Sequence, residues 1–221
     1  MSFLRNPSWQ AIVFVAALNV ILVALPSLAR GPRDLPPGMV RVAEDFWLDA
    51  REVSNADFHA FADATGYKAE GNWRLYAIPG RETRPVVGVT WNDAAAYATW
   101  KGKRLPTAAE STEAARGADG GPYPWGKQWR DGAANVNTRG DAAVGSFPQD
   151  KSPCGAFDLA GNVMEWTSSS VAEDPKQRVV RGGCWMYFKD IAGADHVIAF
   201  PSKQASYCVG FRCAWPPARQ R

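Results

Sequence analysis

The sequence is poor in the residues and motifs on which several enzyme classes depend. It has two histidines, His59 and His196, so a metal centre built from three histidines is excluded. It contains no Gly-x-Ser-x-Gly elbow, no P-loop and no Cys-x-x-Cys pair, the signals of three common catalytic or nucleotide-binding sites. The formal net charge of +3 is spread along the chain without a basic block. We therefore expect no nucleic acid to be bound.

Tryptophan, glycine and proline are well represented. The 221 residues are enough for one substantial domain with its own core. Ten tryptophans together with 20 glycines and 16 prolines indicate a loop-rich domain held by buried aromatic side chains. The chain has no internal repeat and no low-complexity tract.

The N-terminal segment differs from the rest of the chain. Arg5 precedes an apolar run over residues 11–25, which small residues follow at signal-cleavage spacing. The same run is also long enough to cross a bilayer. We therefore expect residues 1–30 to be a membrane anchor or a signal segment, residues 31–38 to be a proline-rich linker, and the folded domain, residues 39–217, to lie outside the cytoplasm, in the periplasm or outside the cell.

Local signals predict short strands and three helices. Apolar clustering predicts strands at residues 39–42, 46–48, 85–89 and 178–181. Three helices are predicted from serine or threonine N-caps, each followed three residues later by an acidic residue, and each is predicted to stop at a glycine. Their predicted caps and stops are Ser54 and Gly66, Thr90 and Gly102, and Thr107 and Gly117. The region between the first two helices, residues 67–84, reads as an exposed loop and a candidate partner surface.

The stretch from Ser152 to Trp185 is expected to organise the domain. In its DLAGNVMEW segment, residues 158–166, apolar residues surround a Gly-Asn pair and one carboxylate, Glu165, which is costly to bury without a partner. That partner is either a cation or a core arginine such as Arg181 or Arg212. We expect this centre to consist of a loop and the strand at 178–181.

Seven ordered sequence blocks carry a family resemblance. They are RLPTAAE (104–110), YPWG (123–126), AN (134–135), VGSFP (144–148), AGNVMEW (160–166), RVVRGGCW (178–185) and GFRCA (210–214). In order and spacing they resemble the formylglycine-generating enzyme family, also called sulfatase-modifying factors. The resemblance implies an α+β domain with a variant of the C-type lectin fold, rich in long ordered loops.

The resemblance also implies structural calcium. Carried over by position, the carbonyl groups of Ala160, Gly161 and Val163 and the side chain of Glu165 would bind one ion. A second family site would use Asn135 and the carbonyl of Val136. The loop that completes that site is shortened here, which leaves Asp141 as its third candidate ligand.

The family's catalytic thiols are absent at the matching positions. Catalytic members bind copper(I) through two cysteines just after the Arg-Gly-Gly-Ser block, and soft thiolates suit that ion. Here the serine of the block is Cys184, and the two cysteine positions are Tyr187 and Ala192. Cys208 and Cys213 have a similar spacing, but they lie at the end of the domain. We therefore assign no catalytic residue and expect no copper.

The four cysteines have two readings. In an oxidising compartment they allow up to two disulfides, in any of three connectivities. They could equally be small buried apolar residues. The positions are Cys154, Cys184, Cys208 and Cys213.

Three functions are compatible with this sequence. The first is a membrane-anchored accessory or binding protein, either a maturation factor or a subunit of a membrane complex, whose partner is that complex or an exported protein. The second is an oxidase or other redox enzyme that uses Cys184. The third, carbohydrate binding, rests on the lectin-like fold alone.

Overall fold

The computed structural model describes residues 37–171 and 174–216, which form an α+β domain with few helices. The predicted anchor or signal segment, residues 1–30, and nearly all of the predicted linker lie outside the described residues. In the part of the chain that is described, no helix has the length and apolar character needed to span a bilayer.

Three α-helices, two small sheets and two short 3-10 helices (Trp73–Leu75 and Lys189–Ile191) make up the regular structure of the described residues. The helices are α1 (Asn55–Thr65), α2 (Trp91–Trp100) and α3 (Ala108–Ala115). The strands are β1 (Met39–Ala43), β2 (Phe46–Asp49), β3 (Met164–Val171), β4 (Asp174–Arg181), β5 (Ile198–Pro201), β6 (Val209–Gly210) and β7 (Ala214–Trp215). One sheet has the order β1-β2-β7 and the other β5-β4-β3-β6, with β3 and β6 parallel and the other pairs antiparallel.

All three predicted helices form, and each begins with the predicted capping box. In each, the N-cap hydroxyl accepts from the amide three residues on, and the acidic side chain at that position accepts from the N-cap amide. The pairs are Ser54 and Asp57, Thr90 and Asp93, and Thr107 and Glu110. Local sequence therefore decides where these helices begin.

The predicted strand over residues 85–89 is wrong. Val86 donates its amide hydrogen to the Val53 carbonyl at 2.9 Å, and Gly88 donates to Ser206 at 2.9 Å. Two different partners replace a strand ladder, because Gly88 takes a left-handed φ of 72° that turns the backbone between them. The segment is nevertheless buried, with Val86, Val87 and Val89 at 0–1% exposure.

The segment around Glu165 is more regular than expected. Glu165 lies on β3 rather than in a loop, and it pairs with Arg181 of β4 in register. On the parallel side it pairs with Gly210 of β6. The organising centre is therefore the middle of the four-stranded sheet, with the Ala160–Val163 turn leading into it.

The largest core cluster packs α1 and α2 against the four-stranded sheet. Phe58 contacts Phe61, Tyr97 and Phe211 through ring pairs with centroids 5.4–6.3 Å apart. Aromatic side chains later in the chain are less completely buried, and of the six at positions 125, 129, 147, 157, 166 and 185 only Trp166 is fully buried. The others are partly exposed, namely Trp125, Trp129, Phe147, Phe157 and Trp185.

Candidate functional site

The carboxylate of Glu165 faces an arginine in the core. Arg212 donates from Nε to both Glu165 oxygens at 2.8 and 2.9 Å, and from Nη2 to Oε1 at 2.7 Å. Both side chains are almost completely buried. The partner of Glu165 is therefore Arg212 and not Arg181. Arg181 donates instead to the carbonyl oxygen of His196 and to the hydroxyl group of Thr112 on helix α3.

Other buried acids surround this ion pair. Burial, followed by the charges of Asp158 and Glu165, raises the pKa of Glu52 well above its usual value. Burial also raises the pKa of Asp150 to about 8, and that side chain accepts from the Ala160 amide. Asn162 links the group by donating to Glu52 at 2.8 Å. Arg212 therefore offsets the charge of several buried carboxylates, and sequence reasoning missed Glu52 and Asp150 because they lie far from the AGNVMEW block.

The first predicted calcium ligand set has oxygen donors available. A Cβ atom on Gly183 would lie 2.9 Å from the Ala160 carbonyl oxygen, and one on Gly182 would lie 3.9 Å from that of Val163. Gly183 therefore allows two main chains to approach closely at the Ala160 carbonyl. Both oxygens of Glu165 accept hydrogen bonds from Arg212. Carbonyl and carboxylate oxygens are the donor types that calcium accepts, and Arg212 competes with an ion for this carboxylate.

The second predicted set is less suited to a cation. Asp141 receives hydrogen bonds from Arg81 at 2.6 Å and from Arg84 at 2.9 Å, so two guanidinium groups face it. The amide of Asn135 is engaged with Gly140, Asn162 and Thr138. Among residues 37–171 and 174–216, no hydrogen bond to the Val136 carbonyl is found. The positive charge beside Asp141 argues against its role as a calcium ligand.

Two residues occupy the positions of the family's copper-binding cysteines. Tyr187 is 40% exposed, and its amide donates to the Cys184 carbonyl at 3.0 Å. Ala192 is fully buried beside Ala160, and a Cβ atom on Gly183 would lie 3.3 Å from its side chain. A bulky phenol and a packed methyl group thus stand where the resemblance implies thiols.

A cleft of about 240 Å³ opens beside Trp185, the residue after Cys184. Aromatic rings of Tyr76, Trp185 and Tyr207 line it together with the ion pair of Arg81 and Asp141. Residues 67–84, the candidate partner loop, therefore supply one wall of the cleft. The other wall comes from the segments that follow β4 and precede β6.

The cysteines fall into one close pair and two separate residues. A hydrogen bond from Cys208 lowers the pKa of the Cys184 thiol, and the same contact raises that of Cys208. Cys154 contacts the Ser152 hydroxyl, and the Cys213 amide donates to Asp49. All four are free thiols in this structure. Sequence could not single out the close pair among the possible connectivities.

The chain matches the family described as "Sulfatase-modifying factor enzyme 1-like domain" over residues 15–217. It is 40% identical to the inactive C-alpha-formylglycine-generating enzyme 2 of Bos taurus, over 64% of this chain and 55% of that protein. It is 32% identical to the formylglycine-generating enzyme of Mus musculus, over 79% and 62%. It is 34% identical to the serine/threonine-protein kinase pkn1 of Chlamydia pneumoniae, over 83% of this chain but 35% of that protein.

Solved structures share the fold of this domain. PvdO from Pseudomonas aeruginosa superposes with a TM-score of 0.63 at 26% identity, over 76% of this chain and 79% of that one. CarF superposes with a TM-score of 0.61 at 21% identity, over 78% and 87%, which supports the fold alone. In sequence and in fold, this chain belongs to the formylglycine-generating enzyme, or sulfatase-modifying factor, family.

Proposed function

We propose that this chain is a membrane-anchored, extracytoplasmic accessory protein that uses the family scaffold to bind a partner and not to oxidise cysteine. The observation that carries the proposal is the identity of the two residues at the copper positions, Tyr187 and Ala192. Neither side chain can bind copper(I) as a thiolate does. The match to a mammalian relative named as inactive supports a non-catalytic role.

The surface suited to a partner is the exposed apolar patch beside the cleft. We call it the aromatic rim and define it as Met186, Tyr187, Phe188 and Tyr207. These side chains are 37–65% exposed, and the Tyr207 hydroxyl contacts the Met186 sulfur at 3.3 Å. Clustered exposed apolar side chains mark interaction surfaces, and tyrosine is enriched among the residues that dominate binding energy.

The partner is proposed to be a protein of a membrane complex or an exported protein. The cleft beside the rim presents Arg139 next to aromatic rings, with Arg81 already paired to Asp141. Such a surface suits a polypeptide with an acidic or carbonyl-rich segment, because guanidinium groups donate to those oxygens. We further propose that calcium, held by Ala160, Gly161, Val163 and Glu165, stabilises the turn behind this surface.

A co-purification experiment tests the accessory role. The tagged full-length chain is extracted in mild detergent, and proteins that co-purify in stoichiometric amount are quantified. Tyr207→Ser should lower the yield of the partner at least tenfold. Val197→Ser replaces an apolar residue of similar exposure, 57%, that does not line the cleft, and should leave the yield unchanged. Equal recovery with both variants would refute the rim as the binding surface.

A redox enzyme that uses Cys184 is the second candidate. It is favoured by the lowered pKa of the Cys184 thiol beside Cys208. Against it, Cys184 has no exposed surface, so a substrate could not reach the sulfur without a local opening. Oxygen consumption with a cysteine-containing peptide that is abolished by Cys184→Ser would establish this enzyme and overturn the accessory role.

A further inference from the structure

Cys184 and Cys208 are held side by side by one short backbone segment. The residue after the first cysteine, Trp185, donates its amide hydrogen to the Asn162 carbonyl at 2.9 Å. The second cysteine accepts at its carbonyl from the Met164 amide at 2.8 Å. Asn162 and Met164 lie two positions apart in the same segment. The main chains of the two cysteines therefore run next to each other.

Their side chains and neighbours meet as well. Neither cysteine is more than 2% exposed, and both belong to the same buried core cluster. The rings of Trp185 and Tyr207, one residue from each cysteine, lie 6.1 Å apart. Two buried cysteines on adjacent backbones are placed so that a disulfide can join them without a large backbone movement.

The other two cysteines have different surroundings. Cys154 contacts Ser152 and the Ala114 carbonyl on the side of the three-stranded sheet. Cys213 is fully buried, and its amide is bonded to the carboxylate of Asp49. Of the three connectivities open to four cysteines, the structure therefore favours the one that contains the bond between Cys184 and Cys208.

We propose that Cys184 and Cys208 form a reversible disulfide that closes the loop between β4 and β6. With oxidised glutathione as oxidant, and in a local opening that exposes Cys184, the Cys184 thiolate attacks one sulfur and releases one glutathione thiolate. The Cys208 thiolate then attacks the Cys184 sulfur and releases the second. Two protein thiols lose two electrons and two protons, and the oxidant is reduced to two thiols.

The bond would act on the aromatic rim. Met186, Tyr187 and Phe188 all lie inside the closed loop, directly after Cys184, and Tyr207 directly precedes Cys208. A cross-link that closes a loop lowers the conformational entropy of the chain within it. Because this entropy is lost mainly in the unfolded chain, the oxidised protein unfolds the loop that carries the rim less readily than the reduced one. The disulfide itself is independent of the proposed partner-binding role and is tested without a partner.

Trypsin separates the cysteines completely, which makes the bond easy to identify. Cys184 falls in the peptide 182–189, Cys208 in 204–212, Cys213 in 213–219 and Cys154 in 152–176. The folded full-length protein is equilibrated with glutathione at graded ratios of oxidised to reduced form. Free thiols are then alkylated under denaturing conditions, and the protein is digested and analysed by mass spectrometry.

The expected product is one cross-linked species of peptides 182–189 and 204–212, two hydrogens lighter than their sum. Cys154→Ser should retain it, whereas Cys184→Ser and Cys208→Ser should each abolish it. Oxidation should raise the melting temperature of the wild type by roughly 5–10 °C and leave that of Cys184→Ser unchanged. Full alkylation of both cysteines at the most oxidising ratio, or a dominant bond to Cys154 or Cys213, would overturn the proposal.

Discussion

Arg212 and Glu165 form a three-bond ion pair in the interior of the domain, with donor-acceptor distances of 2.7–2.9 Å. The arginine also donates to the carbonyl groups of Asp49 and Phe157. It therefore joins the end of β2, the loop before the AGNVMEW block and the start of β3. This single side chain connects the two sheets.

Removal of Arg212 should be severely destabilising. Arg212→Met leaves Glu165 buried without its partner, and breaking a buried pair from one side costs about 3–5 kcal/mol. Arg116→Met is the control, because Arg116 and Asp195 form an exposed pair, which contributes less than about 1 kcal/mol. Urea unfolding followed by tryptophan fluorescence measures both. Similar losses in the free energy of unfolding for the two variants would show that the buried pair stabilises the protein no more than the exposed pair.

The stability of α3 should depend on pH through Glu110. Burial alone would raise the pKa of Glu110, but hydrogen bonds from Arg104 and Thr107 outweigh it and hold the pKa below its usual value. A carboxylate with a lowered folded-state pKa stabilises the protein above its unfolded-state pKa, and this contribution is lost as the pH falls through the folded-state value.

Glu110→Gln tests this relation. At pH 7 the variant should be less stable than the wild type by about 1–2 kcal/mol, because it loses the charged acceptor of the Arg104 pair. The difference should shrink as the pH falls below about 4.5. Glu113→Gln, exposed on the same helix, should show little difference at any pH. If the difference in free energy of unfolding between Glu110→Gln and the wild type stays constant from pH 7 to pH 3, the Glu110 charge does not stabilise the helix as proposed.

The close approach behind the AGNVMEW block predicts a steric penalty at Gly161. A Cβ atom there would lie 2.8 Å from the Asn135 carbonyl oxygen and 2.9 Å from its amide nitrogen, both on the main chain. Gly161→Ala should therefore lower the free energy of unfolding by about 1–3 kcal/mol, the usual cost of overpacking. Gly140→Ala, with nothing within 4 Å, should be close to neutral by the same thermal or urea measurement. Equal free energies of unfolding for the two variants would contradict this close packing at Gly161.

Calcium should stabilise the domain if the Ala160–Glu165 donors bind it. At a concentration a hundred times its dissociation constant, a ligand specific to the folded state adds about 2.7 kcal/mol, which corresponds to roughly 5–10 °C in melting temperature. We expect calcium to give this shift after EGTA treatment, and magnesium at equal concentration to give a smaller one because it prefers a rigid octahedral site. An unchanged melting temperature at millimolar calcium would exclude a site of useful affinity.

The local elements of the fold were predictable, and the long-range partners were not. Helix starts depend on residues three positions apart, as at Thr107 and Glu110, so their signal is contained in a short window. The strand predicted at 85–89 failed because its hydrogen bonds go to Val53 and Ser206, in two distant segments. The apolar pattern predicts that these valines are buried, but it does not identify the partners of their backbone hydrogen bonds.

The candidate site shows the same division. The family resemblance located Glu165 and the altered copper positions, since these lie within continuous blocks. It left open whether Arg181 or Arg212 pairs with Glu165, because that choice depends on how β6 packs beside β3. The contact of Cys184 with Cys208 was equally hidden, since Cys208 lies outside any block of the family pattern.

The most direct measurement of the central claim is a turnover assay with the purified full-length chain. The protein is loaded with copper(I) under reducing conditions and incubated with oxygen and a cysteine-containing sulfatase peptide. We expect no more aldehyde-containing peptide than in the copper-only control, and no more from the variant Cys184→Ser than from the wild type. Formation of formylglycine by the wild-type chain, with oxygen consumed in proportion, would contradict it.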